Sequence, residues 1–90
     1  MRLIPLTSSQ LAAIGWVQTG DDPMGHYGQV VGKLGVQFQK GGFYVYEGVP
    51  EGAFVDVVTD PDSQGSAFHR IIKKGAYPYH PSTAEEIAGL

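Results

Sequence analysis

The chain has no cysteine, which excludes a disulfide framework, a thiolate zinc site and any thiol nucleophile. It also lacks a long apolar run. The opening MRLIPLTSSQ has one basic residue and a brief apolar stretch, too short for the core of a signal peptide or for a membrane span. Positive charge is scarce, with six Lys and Arg against nine Asp and Glu, for a net charge of −3. A general nucleic-acid binder gains affinity by releasing counterions around many neutralised phosphates, so this balance argues against one. These absences predict a soluble, cytoplasmic protein with no membrane partner.

At 90 residues there is room for one small domain with a single core, spanning 1–90. The apolar run LAAIGWVQTG predicts a first strand over about 12–18, ended by Gly20. The turn-forming residues DDPMGHYG (21–28) follow. QVVGKLGVQFQ then reads as a second strand, with Val30, Leu34, Val36 and Phe38 on one face and Gln37 and Gln39 on the other. Its glycines at 28, 32 and 35 mark a bulge or a close approach by another backbone.

KGG (40–42) is a hairpin turn leading into a third strand at about 43–48. Loop length sets the register. With two loop residues, Phe43 and Val45 join Val36 and Phe38 on the core side; with three, Tyr44 and Tyr46 do so, and the doubled glycine favours three. FYVY is apolar or aromatic on both faces, so something besides the chain's own core is expected to cover the second one. After Pro50 the period changes to that of a helix. Phe54, Val57 and Val58 form one stripe and Phe68, Ile71 and Ile72 another, with Asp62 or Ser63 as the second N-cap and Gly75 as terminator. Ser82 and Glu85 have capping-box spacing for a short last helix bearing Ile87 and Leu90. The expected fold is α+β: a three-stranded antiparallel meander followed by two helices packed on one face.

An ordered series runs through these elements: Ser9, IGW (14–16), LGVQF (34–38), GG (41–42), YVY (44–46), VP (49–50), SQGSAFH (63–69) and YPY (77–79). Over residues 8–79 it resembles the KTSC domain, whose characteristic feature is the central tyrosine pair. That short module occurs alone in bacterial and phage proteins and at the C-terminus of some lysyl-tRNA synthetases. The resemblance implies a bacterial or phage setting and a link to RNA or tRNA binding. The chain departs from the family in a longer first hairpin, in Trp16 where tyrosine is common, in His69 where asparagine is expected, and in an additional tail over 80–90.

His26, His69 and His80 have no ligand spacing and no clustered carboxylates beside them, so no metal and no cofactor is expected. The serines lack a nucleophile elbow. The chain is therefore read as non-catalytic, a hydrolase using His69 being the enzymatic alternative. SQGSAFHRIIKK (63–74) is the most informative stretch. Its glycine and serines at a helix start offer amides to an anion, and Arg70, Lys73 and Lys74 can meet phosphates; the alternative is a capped helix with a solvated basic face. Six aromatics, Trp16, Tyr44, Tyr46, Phe68, Tyr77 and Tyr79, are able to stack on a base, and the first four, with His69 beside them, are taken as ligand contacts.

The resulting expectation is a binding module for a small phosphorylated, nucleotide-like ligand. Sequestration of a nucleotide signal is an extension that the phage setting of the resembled family implies. A second copy of the chain is the expected cover for the second sheet face, meeting at Gln37, Gln39, Phe43 and Val45 to form a homo-oligomer. The alternatives are an RNA-binding module and a protein-interaction module without a nucleotide.

Overall fold

The computed structural model describes residues 1–21 and 30–90. Among these residues nine elements follow one another: β1 (Ile4–Pro5), β2 (Leu11–Asp21), β3 (Val30–Phe38), β4 (Phe43–Pro50), α1 (Glu51–Val58), α2 (Gln64–Phe68), a π turn (His69–Lys73), β5 (Tyr79–Ser82) and α3 (Ala84–Ala88). The strands form one antiparallel sheet in the order β1-β2-β3-β4-β5. The sheet thus has five strands where the sequence predicts three. The meander is its centre, and short strands from each end of the chain pair onto its edges. The turn expected over 21–28 lies, from residue 22 on, outside the described residues, as does His26.

The β3–β4 hairpin has the three-residue loop. Phe38 N donates to Gly42 O at 3.1 Å, Gly41 N donates back to Phe38 O at 3.0 Å, and Gly41 has φ of 90°, a conformation costly for any residue with a Cβ. Val36 therefore faces Tyr44 and Leu34 faces Tyr46, which puts both tyrosines on the helix side. A bulge follows, supported by Gly48 at φ of 65°. It sets Tyr46 and Val49 on the same face although they are three residues apart.

The core lies between this face and α1, α2 and the π turn. Leu11, Ile14, Leu34, Val36, Tyr46 and Val49 meet Val57, Phe68 and Ile72, all nearly or fully buried. Each such side chain contributes about 1.5–3 kcal/mol through its removal from water. Ser63 caps α2 by accepting from Ser66 N at 3.1 Å. The last helix is capped by Thr83, which accepts from Glu86 N, one residue beyond the predicted Ser82.

The second face is where expectation and structure part. Val45 is 1% exposed, and its cover is the chain itself. Gly15 and Gly35 stand opposite each other across β2 and β3, leaving a flat trough on that face. Leu3 and Met1 lie over Gly15, while Met1 and Ile87 of α3 lie over Gly35. Ile87 is 1% exposed. Val45 is thus unavailable for the expected interface between copies, Phe43 and Gln37 are half-buried, and Gln39 is engaged elsewhere. Its Nε2 donates to Ser8 O at 3.0 Å, tying the hairpin to the segment before β2.

Candidate functional site

On the helix side, the wall made by β3, β4 and β5 and the end of the π turn enclose a groove of about 1100 Å³. Its wall and floor are aromatic because the hairpin register brings Phe38 beside Tyr44 and the β4–β5 register sets Tyr46 against Tyr79. Phe38 and Tyr44 meet edge to face at 5.6 Å, and Phe38 meets Phe68 likewise at 5.9 Å. Tyr46 sits between Phe68 at 5.7 Å and Tyr79 at 5.2 Å, and Tyr44 reaches Tyr79 at 6.1 Å. Such ring pairs add about 0.5–1.5 kcal/mol beyond the area they bury.

The charged side chains of the groove, Lys40 and Lys73, share one sign. Lys73 Nζ stands 5.6 Å from the Phe38 ring centroid, a cation–π distance, and Lys40 and His69 also line the groove. No Asp or Glu lines it among the described residues, although acids outnumber bases in the chain. Burial, reinforced by the neighbouring Tyr79 and Tyr44, pushes the Tyr46 phenol above its ordinary range. It therefore stays protonated at neutral pH and able to donate.

The π turn contributes to this placement. Lys74 N donates to His69 O at 3.2 Å across five residues, widening the helix as it passes the groove. Phe68 and Ile72 are buried, while their neighbours His69 and Lys73 border the groove. Interruptions of this kind recur at functional sites.

Of the eight residues the sequence offered as ligand contacts, the groove brings together Tyr44, Tyr46, His69 and Lys73. Phe68 lies beneath them as core, at 1% exposure. Trp16 is elsewhere: its Nε1 donates to Val49 O at 2.9 Å and its ring stacks on Phe54 at 6.5 Å, so it braces β2 against β4 and α1. Arg70 faces away, paired with Asp60 at 3.3 Å. Lys74 is exposed after the π turn and does not line the groove.

Part of the amide set offered to an anion before and at the helix start is already engaged. Asp60 Oδ1 accepts from the amides of Asp62 and Ser63, both at 2.9 Å, and Ser63 Oγ takes the amide of Ser66. The amides from Ser63 and Asp62, with Arg70, hold the Asp60 carboxyl below its usual range. The turn that leads into α2 therefore already holds a carboxylate, ionised at neutral pH.

Sequence reasoning missed Lys40 and undervalued Phe38 and Tyr79 as site residues. The three-residue loop was the available signal for Phe38, because it sets that ring diagonally beside Tyr44. Among the described residues no cluster of three His, Asp or Glu side chains is placed to hold a metal ion, and no helix is long and apolar enough to cross a membrane.

No curated protein matches the chain. A crystal structure of a KTSC domain protein from Yersinia pestis is similar in fold and sequence, with a TM-score of 0.66, 29% identity, and coverage of 91% of this chain and 97% of that one. The family model for the KTSC domain matches residues 25–77, a span that holds β3, β4, α1, α2, the π turn and most of the groove's lining. By that match the chain belongs to the KTSC domain family.

Proposed function

We propose that the groove binds a small phosphorylated, nucleotide-like ligand and that the protein holds this ligand without converting it. The observation that carries this reading is the position of Lys73. Its ammonium lies over an aromatic ring, in a groove lined by tyrosines and, among the described residues, by no acid. Aromatic faces suit a base, and Lys73, Lys40 and His69 at the margin suit a phosphate. Of the phosphate contacts read from sequence Lys73 is kept, with Lys40 in place of Arg70 and Lys74; of the stacking rings Tyr44 is kept, with Tyr79 in place of Trp16. Holding without turnover would serve to sequester such a ligand.

Calorimetry with AMP tests this. The wild type should bind one AMP per chain. Lys73→Met should weaken binding by about tenfold, the value of one charge-assisted hydrogen bond, while Arg70→Met should leave it unchanged because Arg70 is paired with Asp60. The salt dependence should be shallow, since few phosphates are neutralised. A steep slope with RNA and no affinity for AMP would favour the RNA-binding alternative. No affinity for either would favour a protein-interaction module.

A further inference from the structure

We infer that the groove is built for a dinucleotide, two bases joined through a phosphodiester, in preference to a mononucleotide. The inference rests on the nucleotide reading above and narrows it. The first observation is size, because about 1100 Å³ lies beyond the upper end of the roughly 300–1,000 Å³ that serves one drug-sized ligand.

The second is the arrangement of ring faces. Lys73 already occupies a face of Phe38, and Tyr46 is 4% exposed and forms floor. Tyr44 and Tyr79 remain open to a ligand, with Tyr79 63% exposed. Their planes differ by 63° with centroids 6.1 Å apart. One flat base cannot lie against both rings at that angle, so the pair offers two separate stacking planes.

Titration calorimetry with AMP and with the linear 5′-phosphorylated adenylate dinucleotide pApA, at one salt concentration, tests the inference. The dinucleotide should bind at least about tenfold more tightly than AMP, the gain from stacking one further base. Tyr79→Ala should lower pApA affinity to the level of AMP while AMP affinity stays at that of the wild type, with a melting temperature lowered by the loss of the ring contacts to Tyr46 and Tyr44; Tyr79→Phe, which keeps the ring, should retain the pApA preference. Equal affinities of the wild type for AMP and pApA would overturn the dinucleotide inference and leave the nucleotide reading standing. Absence of binding to both would overturn the two together. Affinity that keeps rising with a long oligoadenylate, with a steep salt slope, would overturn the inference in favour of a polynucleotide.

Discussion

Gly32→Ala should destabilise the protein by about 3 kcal/mol or more, the upper range for overpacking. A Cβ on Gly32 would collide with the carbonyl of Val17 and stand 2.9 Å from Trp16 Cε2. The first of these obstacles is the backbone of the neighbouring strand, which cannot swing aside as a flexible side chain can. Relief requires β2 and β3 to separate where Trp16 also donates to Val49 O, so the damage spreads from the ladder to the packing of α1. In a domain of this size such a loss is a large share of total stability. The contrasting substitution is Gly52→Ala in α1, where a Cβ meets nothing within 4 Å; it should stabilise by up to about 1 kcal/mol through helix propensity. Urea denaturation midpoints at equal slope measure both. A Gly32→Ala midpoint equal to the wild type would show that the two strands do not approach as described.

The second large effect is expected from Ile87→Asp. Ile87 is 1% exposed above Gly35, so aspartate there removes a buried aliphatic side chain and puts an unpaired charge in its place. Either change alone costs about 2–5 kcal/mol in a core. The chain has a cheaper escape, since α3 is only five residues long and can lift off the sheet. Undocking limits the loss to about 1.5–3 kcal/mol, the worth of one buried aliphatic side chain, and it uncovers the Gly35 end of the trough. The expected result is a lower melting temperature together with concentration-dependent association in sedimentation velocity, because an exposed apolar patch seeks a partner. An unchanged melting temperature without association would mean that α3 does not cover this face.

These two positions also mark what the sequence made legible. Val36 and Phe38 against Tyr44 and Tyr46 followed from the doubled glycine, because hairpin register depends on the loop itself. The stripe of Phe54, Val57 and Val58 and the cap at Ser63 were readable for the same local reason. β1 and β5 were not, since two and four residues interrupted by Pro5 and Pro81 have no periodicity and become strands only by pairing with an existing edge. Two apolar faces on FYVY signalled a covered second face, but the cover read from them lay outside the chain's own core, whereas Met1, Leu3 and Ile87 of the chain itself lie there. Met1, Leu3 and Ile87 carry no pattern that announces a shared destination. Arg70 was misplaced because its partner Asp60, ten residues earlier, reaches it only through the turn between α1 and α2. Four of the eight proposed contacts nevertheless line one groove, since Tyr44, Tyr46, His69 and Lys73 owe their positions to the hairpin register and to the helix stripe.

The most direct test is an amide chemical-shift titration of isotopically labelled protein with AMP. Saturable shifts confined to residues 9–10, 38–46 and 69–79 are the predicted result, with 60–66 unmoved because Asp60 and Ser63 already hold the amides of Asp62, Ser63 and Ser66. Shifts centred on 60–66, or none at all at high AMP concentration, would contradict it.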